Sequence, residues 1–265
     1  MNGNTSTARP PLSADDAFAH ACIAFSKPRR IAASEAEQVL LGQAIQTLHP
    51  HEGQDIAVWT LGHGPRVLLI HGWDSRGSHL AGFVEPLLRA GFSVTLFDMP
   101  AHGDSAGEHG SVVHSSRALL SLTNALADVQ AVITHSMGSA AALIAFLCGP
   151  SSLSAMVKLQ ARGYGLSPEQ SRDFQAWVEE FIGQSTQSVD LESLLEGLRH
   201  PALIMHDPED RVVPVGASVA LNQAWANSEL VPLSGLGHRR VLTDADVISR
   251  SVDHLIRHAT GSEAV

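Results

Sequence analysis

Two serines in this chain stand where a hydroxyl group can be turned into a nucleophile. Gly103-Asp104-Ser105-Ala106-Gly107 fits Gly-x-Ser-x-Gly letter for letter, whereas Thr134-His135-Ser136-Met137-Gly138 lacks the first glycine. Setting outweighs spelling. A serine nucleophile needs a strand directly before it and a helix directly after it, so that a sharp turn lifts the hydroxyl clear of the sheet and faces it with a helix N-terminus. VQAVIT precedes Ser136 and SAAALIAF follows it, while Ser105 sits in the loop-like stretch MPAHGDSAGEHG. Ser136 is therefore the expected nucleophile. Thr134 is β-branched where a small residue relieves crowding, so the turn must accommodate an extra methyl and hydroxyl.

A serine hydroxyl attacks only when a base takes its proton, and the base needs a carboxylate to orient it. Asp210 lies in HDPEDRVVP after the strand-like run ALIM, 74 residues beyond Ser136. His238 lies in SGLGHRRVL after the run ELVPL, a further 28 residues on. Open α/β sheets place their sites along the carboxyl edge of the strands, where all three fall. Asp207 and Glu209 are rival carboxylates, and Asp207 also suits a turn. An oxyanion hole needs two backbone N–H donors. Met137, next after the serine, is one candidate; Trp73, in the His71-Gly72-Trp73 loop after VLLI, is the other. The Trp73 ring either walls an acyl pocket or packs under its loop.

The elements that must hold these residues are short apolar runs alternating with helical patterns. VLLI (67–70), VTLF (94–97), AVIT (131–134), ALIM (202–205) and ELVPL (229–233) read as strands, with helices expected over 77–90, 115–127 and 244–258. Continuous apolar strands separated by helices predict a mostly parallel sheet covered on both faces. Before it, QAIQTLH and DIAVWTLG read as a strand pair turned at His51-Glu52-Gly53. Residues 1–42 are expected to form a polar tail with short helices, and 43–150 with 199–265 the α/β core. The stretch 151–198 has no strand-like run and reads as an inserted helical lid. In it, Ser167-Pro168-Glu169-Gln170 is a capping box with Pro at the first helical position. Phe174 and Trp177 recur there at helical spacing, as lining for a substrate pocket or as packing against the body.

Composition narrows the classes further. The 265 residues are 44% hydrophobic and 17% charged, a globular chain with a large core. Seventeen basic against 27 acidic residues give a net charge of −10, unsuited to nucleic acid or an anionic membrane. Two cysteines, Cys22 and Cys148, exclude a disulfide scaffold and a four-cysteine zinc site. The longest apolar run, 140–148, is too short to span a bilayer, and the N-terminus lacks the order of a secretory signal. A cytoplasmic protein with no stable membrane insertion is expected. His254 and His258 have a spacing that can bind metal, but no third ligand is evident, so no metal site is expected.

With these residues in place, the chain resembles the α/β-hydrolase family. The resemblance rests on VLLIHGWDSRGSHL (67–80), FSVTLFDMPAHGDSAG (92–107), AVITHSMGSAA (131–141), ALIMHDPEDRVVP (202–214) and LSGLGHRR (233–240). It is nearest to small bacterial serine hydrolases of the esterase and lysophospholipase kind with His-Gly-Trp in the oxyanion loop. The resemblance implies an α/β-hydrolase fold with a small helical lid. It assigns Ser136 as nucleophile, His238 as base, Asp210 as orienter, and the Trp73 and Met137 amides as oxyanion donors. It implies cleavage of a small-molecule carboxylic ester through an acyl-enzyme, without a cofactor. An amidase or peptidase on the same fold, and a non-catalytic binding protein with a truncated core, stay open as alternatives, as do acyl-chain preference and oligomeric state. One departure stands out. The family has a full helix, a loop and another parallel strand after the nucleophile, whereas FLCG (146–149) begins only ten residues after Ser136. A crossover including its helix takes about 10–12 residues or more. The expectation is a helix of about two turns from Met137, with FLCG a short or displaced strand.

Overall fold

The computed structural model describes residues 14–147, 153–186 and 200–259. Strand β1 (Ile45–His51) turns through Glu52 and Gly53, both at positive φ, into antiparallel β2 (Gln54–Leu61). Next come β3 (Arg66–Ile70), β4 (Ser93–Phe97) and β5 (Val129–Thr134). They form one sheet in the order β1-β2-β4-β3-β5, with β3 parallel to both β4 and β5. Leu69 faces Leu96 on one side and Ile133 on the other. Two further strands, β6 (Ala202–His206) and β7 (Ser228–Pro232), pair in parallel as a separate two-stranded sheet.

The core sits on β3 and β4, whose apolar runs are buried. On one face Val67, Leu69, Val94 and Leu96 meet Phe83 and Leu87. The closing helix, α9 (Ala245–Ala259), adds Val247 and Val252 to the same cluster. The helix after β4, α4 (Val112–Leu126), packs against α5 (Met137–Leu147), which in turn lies on β3 and β5. Burial thins toward the break between the sheets: most of β5 and all of β6 are only half-buried.

Three helices differ from the sequence reading. The stretch expected as one helix over 77–90 is a 3-10 helix over Gly77–Phe83 followed by α3 (Val84–Arg89). Pro86 has no N–H for a partner four residues back, so an α-helix can hold it only in its first turn. Helix α4 starts at Val112, three residues early, because Ser111 caps it, its Oγ accepting from the His114 N–H at 3.3 Å. Helix α5 is eleven residues long, three turns rather than two. It takes in Phe146 and Leu147, so the expected strand FLCG does not form at those residues; Cys148 and Gly149 lie outside the described residues. Ala, Leu and Met favour helix strongly, and no Gly or Pro interrupts the run from Ser139 to Leu147. The helix therefore takes the residues for which a strand competes, and no strand among the described residues lies between β5 and β6.

The remaining helices of the main unit are α2 (Glu35–Leu41), α8 (Gly216–Ala224) and α9 (Ala245–Ala259). A second compact unit is built from α1 (Ala14–Ser26), α6 (Leu153–Gly163) and α7 (Pro168–Ile182). Helix α7 has its capping box, with Ser167 and Gln170 bonded reciprocally. Phe174 is fully enclosed in this unit, edge-on to Phe18 and Phe25 of α1. It stacks on Trp177, which stacks on Phe181 at 5.3 Å; Trp177 is half-buried.

Candidate active site

Strand β5 ends at Thr134 and α5 begins at Met137, so His135 and Ser136 make the whole turn. Ser136 has φ +55°, a left-handed conformation uncommon for a residue with a Cβ. Gly138 makes the turn possible: a Cβ there would lie 2.5 Å from the carbonyl oxygens of both Ile70 and His71. Thr134 is accommodated by a hydrogen bond, its Oγ1 lying 2.7 Å from Ser139 Oγ in the first turn of α5.

His238 Nε2 lies 3.0 Å from Ser136 Oγ, and its Nδ1 lies 2.8 Å from Asp210 Oδ2. With Nδ1 donating to the carboxylate, Nε2 is left to accept the serine proton. Asp210 Oδ1 also accepts from the Val212 and Val213 amides at 2.7 and 3.1 Å. Burial alone would raise its carboxyl pKa. The His238 ring and the two amides outweigh burial and hold the group below the usual carboxylate range. His206 braces the same turn, its Nε2 donating to the Val213 carbonyl at 3.0 Å while its Nδ1 meets Ser218 Oγ of α8.

The rival Asp207 does different work. Its Oδ2 accepts from the Leu236 and Gly237 amides, both at 2.6 Å, and its Oδ1 from the Glu209 amide. The carboxylate thus fixes the loop that carries His238, and the Gly237 amide is the largest influence holding its pKa down. Glu209 is exposed. Ser105 is 1% exposed, and its hydroxyl accepts from the Ala57 N–H and donates to the Asp98 carbonyl. It is a structural serine inside the fold.

The loop after β3 closes against the serine. A Cβ on Gly72 would come within 3.0 Å of Ser136 Cβ. His71 Nδ1 donates to the Gly72 carbonyl at 2.7 Å, while Nε2 accepts from the Met99 amide. Burial, with His102 close by, pushes the His71 pKa well down and keeps the ring neutral for these two opposite roles. The half-buried Trp73 ring sits edge-on to His102 at 5.1 Å. Met137 is the first residue of α5, so its N–H has no carbonyl within its own helix to meet.

His135 is the residue the motif reading passed over. Its Nε2 donates to the His238 carbonyl at 2.7 Å, and the two rings lie 4.8 Å apart. Burial lowers its pKa to about 4, opposing the His238 carbonyl, which favours the protonated form. Ser136 follows a strand of the five-stranded sheet, while Asp210 and His238 follow strands of the two-stranded one, and this bond ties the two loops directly. Its only sequence signal is position, the residue between strand and serine. His254 and His258 lie ring to ring at 4.5 Å, and no group of three potential ligands among the described residues could hold a metal ion.

The fold is that of a known class. The family model for the alpha/beta hydrolase family matches residues 67–250, and the chain belongs to that family. Among its relatives, a pimeloyl-[acyl-carrier protein] methyl ester esterase of Xanthomonas oryzae is 22% identical over 254 residues, covering 74% of this chain and 96% of the relative. The enzyme of the same name from Methylococcus capsulatus is 52% identical over only 46 residues, 17% of this chain and 18% of that one. An esterase of Pyrococcus furiosus superposes with a TM-score of 0.66 at 20% identity, covering 88% of this chain and 99% of that one. Est1E from Butyrivibrio proteoclasticus with ferulic acid bound gives 0.62 at 19% identity, covering 81% and 99%.

Proposed function

We propose that this chain is a serine hydrolase that cleaves a carboxylic ester through an acyl-enzyme intermediate. The observation that carries the reading is the hydrogen-bonded line from Ser136 through His238 to Asp210, with Ser136 held at φ +55° between strand and helix. Ser136 Oγ attacks the ester carbonyl carbon as His238 Nε2 takes its proton, and the carbonyl oxygen becomes an oxyanion. The Trp73 and Met137 amides stabilise that charge. His238 then protonates the departing alkoxide, and water attacks the acyl-serine by the same route in reverse. Asp210 keeps the His238 ring in the tautomer that can accept. None of these steps calls for a cofactor. The relatives' name makes a methyl ester of an acyl chain the first substrate to test. No helix of the described residues is long and apolar enough to cross a membrane. Two cysteines in 265 residues favour action in the cytoplasm on a small-molecule substrate.

A second reading, a non-catalytic binding protein, is favoured by one observation: the strands that carry the candidate acid and base have parted from the main sheet. A fluorophosphonate probe followed by peptide mapping separates the two. Stoichiometric labelling of Ser136, with turnover of a p-nitrophenyl ester, supports the enzyme. A folded chain that takes no label refutes it.

A further inference from the structure

The Trp73 amide can act as an oxyanion donor only if its direction is fixed, and Trp73 lies between two anchors. On its N-terminal side, His71 holds the Gly72 carbonyl. That carbonyl and the Trp73 N–H share one planar trans peptide, so fixing one aims the other in the opposite direction. On its C-terminal side stands Asp74, at φ +50°. A residue with a Cβ holds that conformation only where its surroundings impose it. Here the restraint comes from 45 residues earlier in the chain. The backbone N–H of Arg29 donates to Asp74 Oδ1 at 2.7 Å, and Arg29 Nε donates to Oδ2 at 2.8 Å.

The gripping segment is itself tied down. Arg30 donates from Nη1 to the Gly103 and Ser105 carbonyls, both at 2.7 Å, and from Nη2 to the Gly107 carbonyl at 2.5 Å. The buried Arg76 donates to the Ile31 carbonyl at 3.2 Å. Residues 29–31 are thereby sewn to the loop after β4 and to the oxyanion loop at once. The side-chain arm of Arg29 is 74% exposed and screened by solvent, so the backbone N–H is the firmer of its two bonds.

We propose that Arg29 and Asp74 are positioning residues for the oxyanion hole: the clamp between them, opposite His71, aims the Trp73 N–H at the developing oxyanion. The proposal rests on the acyl-transfer reading above. Four variants test it. Asp74→Ala removes the acceptor. Asp74→Gly removes the acceptor but suits φ +50° without strain. Asp74→Asn keeps an oxygen for the Arg29 N–H and tolerates the left-handed conformation. Arg29→Ala keeps the backbone donor.

Each is assayed for kcat and KM with an activated ester, for affinity toward a trifluoromethyl ketone that mimics the tetrahedral adduct, and for hydrogen exchange over residues 72–76. Losing a whole oxyanion donor costs about 10²–10³ in kcat, so misaiming one is expected to cost about 10–50-fold. Asp74→Ala and Asp74→Gly should both lose that factor in kcat and the same factor in ketone affinity, with KM within about twofold. Exchange over 72–76 should quicken in both. Asp74→Asn should recover most of the loss, and Arg29→Ala should lose less than Asp74→Ala.

Full kcat in Asp74→Gly overturns the proposal, since backbone conformation alone would then suffice. So does a loss of kcat without loss of ketone affinity. Exchange also separates the two readings. If the parent chain neither hydrolyses esters nor takes a fluorophosphonate, the enzyme reading fails, while quickened exchange in Asp74→Gly still reveals the clamp. If the parent is active and exchange is unchanged in that variant, the clamp alone fails.

Discussion

Ser105 and Ser136 can be separated by opposite effects on stability and rate. Ser105 is 1% exposed, and its Oγ is the partner of the Ala57 N–H at 2.9 Å and of the Asp98 carbonyl at 2.5 Å. Ser105→Ala strands both groups in the interior. An unsatisfied buried donor costs about 1–3 kcal/mol, and a carbonyl with a second lone pair costs less, so about 2–3 kcal/mol is expected in all. That lowers a urea midpoint by about 1 M for an m-value near 2–3 kcal/mol per M, yet leaves a domain of ordinary stability folded. Turnover per folded molecule should stay within about twofold. Ser136→Ala reverses the pattern. Its hydroxyl lies at the surface of the turn, half-buried, with the His238 ring as partner. Stability should change by less than about 1 kcal/mol. Rate should fall by at least about 10³-fold, the order seen when a serine nucleophile is removed. The assay is paired urea melts and p-nitrophenyl ester kinetics on both variants, with active sites titrated in the parent. If Ser105→Ala abolishes turnover at unchanged stability, or Ser136→Ala still forms a covalent adduct, the reasoning from strand–turn–helix context is wrong.

The neutral His135 gives stability a pH dependence of definite sign. Its ring takes a proton at about 4 in the folded state and near 6.5 when unfolded, so between those values the unfolded chain binds more protons and stability falls as pH falls. The difference is worth at most about 3 kcal/mol, and the buried His71 and His102 rings act in the same direction. His135→Gln should remove most of the first share, read as a smaller loss in denaturant midpoint between pH 7 and pH 4; an unchanged slope contradicts the assignment. Asp207→Asn places an amide N–H₂ among the Leu236 and Gly237 N–H donors, so kcat/KM should drop by about tenfold although Asp210 is untouched; unimpaired kinetics would show that the loop holds itself. Lengthening the chain by about ten residues after Leu147 makes room for a return loop and a strand beside β5. A rise in Tm of several degrees is expected, and an unchanged Tm would mean that the break in the sheet costs nothing.

What could be read from the sequence was local. The strands β3 and β4 are mostly apolar runs because both their faces are covered, β5 is a similar run left half-buried, and each candidate site residue lies just past the end of a strand. The reciprocal caps at Ser167 and Gln170 fall within four residues, and the β1–β2 turn is signalled by Glu52-Gly53. What could not be read were bonds between distant positions with no spacing rule. The Arg29–Asp74 clamp joins residues 45 apart, and the His135–His238 bond joins residues 103 apart. Neither arginine nor histidine carries a pattern that names its partner. The start of α4 had a signal in Ser111 that a search for apolar periodicity passes over. Helix against strand over 139–148 is undecidable by periodicity, because a run apolar on every face suits both. As far as Leu147, propensity and the absence of a breaker decide it for helix.

That decision explains why the site has the form it does. A parallel strand after α5 would pair with β5 on one side and β6 on the other, and the acid and base loops would then be placed by one continuous sheet. With α5 extended through Leu147, β5 and β6 each lack that neighbour among the described strands, and their side chains are half-buried where those of β3 are buried. Placement of His238 against Ser136 must then come from elsewhere. Two features supply it: α9, which touches both β5 and β6, and the His135 N–H on the His238 carbonyl. The first fixes the sheets to within the tolerance of side-chain packing; the second fixes the loops at hydrogen-bond tolerance, the scale on which proton transfer depends. Loss of the His135 bond should therefore impair turnover far more than it impairs folding at neutral pH. In an enzyme whose sheet ran unbroken beneath the site, the same bond would be one of several restraints on the base; here it is, beside the Ser136–His238 bond itself, a direct link between elbow and base loop.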